Sequence, residues 1–135
     1  MPTERMPRSR WFVVAVVLVA ISGVGGLVNG VVEWTSGTNA FQHSVHIADL
    51  IFGLAGVVGV AGLWTRRPWS INALAIWAAS LVYAAGAAPL AFAPEDVNAW
   101  EALVPAGIIG VGLVALVRYF ARSITRASQG AEAND

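Results

Sequence analysis

The sequence contains no cysteine and no lysine. The first absence excludes disulfides, thiol redox chemistry and thiolate metal sites together. The second excludes a retinal-type Schiff base, which needs a lysine amine. Charge of either sign is scarce: Asp, Glu, Lys and Arg make up 12% of 135 residues, and the formal net charge is zero. The basic surface that nucleic acid requires is therefore missing, and no nucleic-acid partner is expected. No phosphate-binding loop is present, and Ser80 has no base at close spacing, so nothing points to an enzyme.

Apolar residues are what the chain has in quantity, at 57%, with a mean hydropathy of +0.67. They fall into four runs, at about 11–32, 41–64, 69–92 and 100–120. At about 1.5 Å per residue each run is long enough to cross roughly 30 Å of hydrocarbon. The first run exceeds the roughly 7–15 residues of a signal-peptide core, and Ala20-Ile-Ser22 is a poor cleavage site, so it reads as a retained span. The expected fold class is all-α, a four-helix transmembrane bundle.

Orientation follows from the arginines, which lie at 5, 8, 10, 66, 67, 118, 122 and 126. None falls in the first or third loop, which carry Glu33, Glu95, Asp96 and Glu101 instead. By the positive-inside rule both termini are cytoplasmic, in a plasma (inner) membrane. Trp11, Trp34, Trp64, Trp69 and Trp100 mark span ends as an aromatic belt does. Residues 1–10 form a basic cytoplasmic N-terminus, and 121–135 a polar cytoplasmic tail expected to be disordered.

Small residues predict where the helices meet. Ser22, Gly26 and Gly30 recur every four residues, a stripe that permits close approach in lipid. Pro68 suits a helix start. Pro89 and Pro94 are expected to end the third span, and Pro105 to bend the fourth by freeing the Glu101 carbonyl.

The stretch that organises the chain is Gln42-His-Ser-Val-His-Ile-Ala-Asp49, which holds both histidines and a carboxylate deep in an apolar helix. At about 100° per residue, His43, His46 and Asp49 fall at about 0°, 300° and 240°, on one side. Gly53 and Gly56 continue that side. The expected topology brings Asn29, Glu33, Tyr83 and Glu101 to the same depth. Asp49 lies about 9 Å below His43 at the helical rise, where an ionised carboxylate is costly unless paired, hydrated or protonated. Its expected partners are His46, Tyr83 or Asn29.

Two kinds of site fit these residues. One is a ligand pocket formed by Asn29, His46, Asp49, Tyr83 and Glu101. The other is a metal centre of Glu33, His43, His46 and Asp49, nitrogen and oxygen donors suited to zinc or non-haem iron. The spacing lacks the Glu-x-x-His pairs of di-iron bundles. His43 and His46 share a face, so they cannot bind opposite sides of one haem within a chain. Purely structural roles stand beside these: a His46–Asp49 pair that sets helix register, a solvated His43, an interfacial Tyr83, and wet loop charges at Glu33, Glu95 and Asp96.

The run His-Ser-Val-His-Ile-Ala-Asp-Leu-Ile-Phe-Gly-Leu-Ala-Gly at 43–56 resembles the second helix of small DoxX-like four-helix membrane proteins. Some of these carry a histidine pair just before Phe-Gly-x-x-Gly and another histidine opening the last helix. By that pattern Val45 and Asp49 stand where the pair would be, and Glu101 where the last-helix histidine would be. The resemblance implies the four-span fold and a link to membrane redox or quinone chemistry. Two functions are then expected. The first is a non-enzymatic accessory or binding subunit whose polar pocket near the outer leaflet holds a lipophilic ligand such as a quinone, or a metal ion. The alternative is a proton-coupled small-molecule transporter working as a dimer. The expected partners are the lipid bilayer and either a second copy of the chain or a membrane-complex partner.

Overall fold

A computed structural model describes residues 9–95 and 97–132, with side chains up to 125. Most of the basic N-terminus, Asp96 and the last residues of the expected tail lie outside that range. Four helices follow in order: α1 (Arg10–Val32), α2 (Ala40–Trp64), α3 (Ser70–Phe92) and α4 (Ala99–Glu132), with a 3₁₀ turn at Glu33–Ser36. Each is long and apolar enough to cross a membrane, so the chain has the make-up of a multi-pass membrane protein. The arginine-bearing ends of the helices form one end of the bundle, and the α1–α2 and α3–α4 loops the other.

Local chemistry sets the helix ends. Ser9 Oγ accepts from the Phe12 N–H at 3.1 Å, and Asn39 Oδ1 accepts from the Gln42 N–H at 3.0 Å. Both are N-caps of the usual kind. At the start of α4, Asn98 Oδ1 accepts from the Glu101 N–H (3.1 Å) while Glu101 Oε2 accepts from the Asn98 N–H (3.3 Å), a reciprocal capping box. The α2–α3 turn is a Schellman arrangement: Arg67 N donates to Gly62 O (2.8 Å) and Arg66 N to Leu63 O (3.0 Å). Arg66 occupies its left-handed position, with φ 55°.

Consecutive helices pack side by side, α1 on α2, α2 on α3 and α3 on α4. The tightest backbone approach is at Gly23 and Gly53: a Cβ on Gly53 would lie 2.5 Å from Leu27 N and 2.9 Å from Gly23 O. Gly26 and Gly30 lie on the same interface, facing the Phe52 ring and the Leu50 side chain respectively. Ser22 reaches the third helix instead, accepting from Trp77 Nε1 at 3.2 Å. Trp77 itself is seated in the notch left by Gly56.

Two helix ends differ from the sequence-based expectation. Pro89 lies inside α3, which continues to Phe92. α4 runs past Pro105 and past residue 120 to Glu132, so 121–132 is helical where a disordered tail was expected. Phe120 and Ile124, one turn apart, are buried. The Phe120 ring meets Phe12 edge-on at 5.7 Å. That contact ties α4 back to α1 at the arginine-bearing end.

Candidate functional site

At the opposite end of the bundle a cavity of about 520 Å³ opens between α1, α2 and α3. Its polar end is made by Asn29, Glu33, Ser36, His46 and Asp49. Its apolar walls are Val45 and Phe52 of α2 and, from α3, Leu81, Ala84, Ala88 and Phe92. Among the described residues α4 contributes no lining side chain.

The sequence accounts for each wall. α1 ends at Val32, so the chain folds into the 3₁₀ turn and lays Glu33 and Ser36 across the polar end. Helical spacing sets His46, Asp49 and Phe52 on one line of α2, each buried. The facing surface of α3 carries alanines at 84, 85 and 88, and their short side chains leave the room that larger residues would fill.

Asp49 is only 6% exposed. Its Oδ2 accepts from Asn29 Nδ2 at 2.7 Å, a bond that joins α1 to α2 across the cavity. Among the described residues its other oxygen receives no hydrogen bond. His46, one turn away and 2% exposed, places Nε2 at 3.5 Å from Ser36 Oγ, the outer limit of a hydrogen bond. Its Nδ1 is buried without a hydrogen-bond partner among the described residues. The imidazole ring lies against Phe92, with centroids 5.3 Å apart.

The remaining candidate residues are placed elsewhere. His43 is turned to Trp34, with ring centroids 5.2 Å apart. Gly37 passes so close over it that a Cβ there would meet the imidazole at 2.9 Å. The two histidine rings are 6.4 Å apart. Among the described residues no group of three histidines or carboxylates converges as a metal cage; Glu33, His43, His46 and Asp49 do not form one. Tyr83 bonds Ser44 Oγ at 2.7 Å on the outside of the α2–α3 contact. Glu101 is engaged in the α4 cap. The structure thus joins Asn29, Glu33, His46 and Asp49, and leaves His43, Tyr83 and Glu101 outside the cavity.

Several residues of this end were not singled out from the sequence. Ser36 donates to Glu33 O at 2.7 Å and faces His46. Gln42 is a clasp: its Oε1 accepts from the Thr38 N–H (2.7 Å) and its Nε2 donates to Ala91 O (2.9 Å). It fastens the α1–α2 loop to the end of α3. Its sequence signal is the spacing Asn39-x-x-Gln42, an N-cap followed by glutamine at the third helical position. No family model, no curated protein and no solved structure matches the chain.

Proposed function

We propose that the protein is a multi-pass binding subunit of the plasma (inner) membrane, with both termini cytoplasmic and the cavity near the outer leaflet. It holds a lipophilic ligand with a polar head. The observation that carries this reading is the cavity itself. Its volume of about 520 Å³ lies within the roughly 300–1,000 Å³ of small-molecule sites, and its composition is of that kind, mostly apolar with a few convergent polar groups. The side without an α4 wall offers an approach from the bilayer. The resemblance of 43–56 to DoxX-like proteins supports a quinone as one such ligand. An organic ligand is favoured over a metal ion because, among the described residues, no three histidines or carboxylates group as a metal site.

A second reading, a proton-coupled transporter working as a dimer, draws support from one feature. Asp49 is a buried carboxylate beside a cavity, with one oxygen that receives no hydrogen bond among the described residues, the sort of intramembrane group that serves proton relays. Proton-dependent uptake into vesicles that disappears in Asp49→Asn would favour it.

The binding reading is tested on protein released from membranes in mild detergent. Intact-mass spectrometry of the parent should show an adduct of constant mass, and Ala88→Trp, which fills the cavity, should lack it. An adduct retained in Ala88→Trp, or none in the parent after reconstitution with native lipid extract, would refute the reading.

A further inference from the structure

We infer that the cavity takes an amphiphilic cation: a protonated amine whose head sits against Asp49 and whose apolar body lies along Phe52, Leu81 and Ala88. The inference rests on the ligand-binding reading above and narrows its ligand.

The inventory of donors and acceptors is lopsided. Few hydrogens are left at the polar end: one of the two on Asn29 Nδ2 goes to Asp49 and that of Ser36 Oγ to Glu33 O, which leaves the second amide hydrogen of Asn29. A neutral His46 adds one N–H. Acceptors are in surplus. Asp49 keeps one oxygen without a hydrogen bond among the described residues, and the Glu33 carboxylate forms none there. Pro89 has no N–H to give the carbonyl four residues earlier, so Ala85, which also lines the cavity, loses the usual donor to its carbonyl. A ligand that only accepts, such as a quinone or an anion, would add to the surplus. A ligand that donates would relieve it.

Charge points the same way. Two carboxylates border the cavity, while the stretches 29–52 and 81–92 that line it contain no lysine or arginine. The arginines nearest in sequence are Arg66 and Arg67, at the other end of the bundle. A carboxylate held in an apolar setting is costly unless it is paired, and one amide hydrogen bond from Asn29 is a weak substitute for a counter-ion. A protonated amine supplies the charge and the hydrogens together. Phe52 and Phe92 border the cavity, and aromatic rings attract ammonium groups.

The test compares naphthylmethylamine with naphthylmethanol, which share an apolar body and differ in the charged head. Binding is measured by equilibrium dialysis against protein in phosphatidylcholine nanodiscs, with empty nanodiscs subtracted. The amine should bind the parent about tenfold more tightly than the alcohol, the worth of one charge-assisted hydrogen bond. Asp49→Asn should bring the two within about twofold by removing that bond. Glu33→Gln, at the exposed rim, should lower amine binding alone, and it decides the matter if Asp49→Asn does not fold. Equal binding of amine and alcohol to the parent would overturn the inference and leave the pocket standing. Binding of neither would overturn the pocket reading, and the inference with it.

Discussion

Replacing Gly53 with alanine probes the account where it is most exposed to error. A Cβ at this position would stand 2.5 Å from Leu27 N, 2.8 Å from Leu27 Cγ and 2.9 Å from Gly23 O. Two of those atoms are backbone, so no rotamer change relieves the contact; α1 and α2 must separate by about 1 Å. Overpacking of this kind costs about 1–3 kcal/mol. Against it, alanine gains about 0.5–1 kcal/mol over glycine within a helix. The net expectation for Gly53→Ala is a loss of about 1–2 kcal/mol, near a tenfold change in the folding equilibrium. Gly107→Ala supplies the contrast, because a Cβ there meets nothing within 4 Å. With only the helical gain in play, it should stabilise by about 0.5–1 kcal/mol. Reversible unfolding in mixed micelles of mild and denaturing detergent, followed by circular dichroism, measures both. If Gly53→Ala matches the parent, or if the two substitutions shift stability in the same direction, the closest approach of α1 and α2 is not at Gly23 and Gly53.

Trp77→Phe should cost about 0.5–1.5 kcal/mol in the same unfolding assay, because it removes the indole donor to Ser22 and keeps most of the buried ring; a neutral result would discount that bond. The orientation can be read cleanly because the native chain has no cysteine. Thr35→Cys and Val97→Cys should react with an impermeant maleimide added outside intact cells, and Thr65→Cys only after the membrane is opened. Labelling of Thr65→Cys in intact cells would reverse the topology.

Helix number and placement were legible because hydropathy reports them directly, and the spans at 41–64 and 69–92 agree with α2 and α3 to about a residue. The end of α4 was not. Residues past 120 are polar, so hydropathy falls while the helix continues, anchored by Phe120 and Ile124. The Ser22/Gly26/Gly30 stripe was expected to touch another helix, and it touches two: Gly26 and Gly30 face α2, and Ser22 reaches α3. Its repeat could not show that Gly23, one residue off the stripe, makes the backbone contact.

At the site, the depth of Asp49 and the return of α2 past α1 narrowed its partner to His46, Tyr83 or Asn29, and the 2.7 Å bond comes from Asn29. Glu101 shows the limit of reading by depth. Asn98-x-x-Glu101 is a capping-box pattern, and satisfying backbone N–H groups holds the carboxylate at its own helix start. A polar pocket was expected at Asn29, His46 and Asp49, which line the cavity; its apolar walls were not legible. On α3 those walls include Ala84, Ala85 and Ala88, whose short side chains leave space that no sequence pattern marks.

The central claim is that a lipophilic molecule occupies the cavity between α1, α2 and α3. Photo-crosslinking tests it most directly. The protein in nanodiscs is irradiated with a diazirine derivative of naphthylmethylamine, and labelled residues are located by peptide mass spectrometry. The account predicts labelling concentrated on Val45, Leu81, Ala84 and Ala88, and competed away by unmodified naphthylmethylamine. Labelling spread over exposed faces of α4, such as Ile108 and Val111, and indifferent to competitor would contradict it.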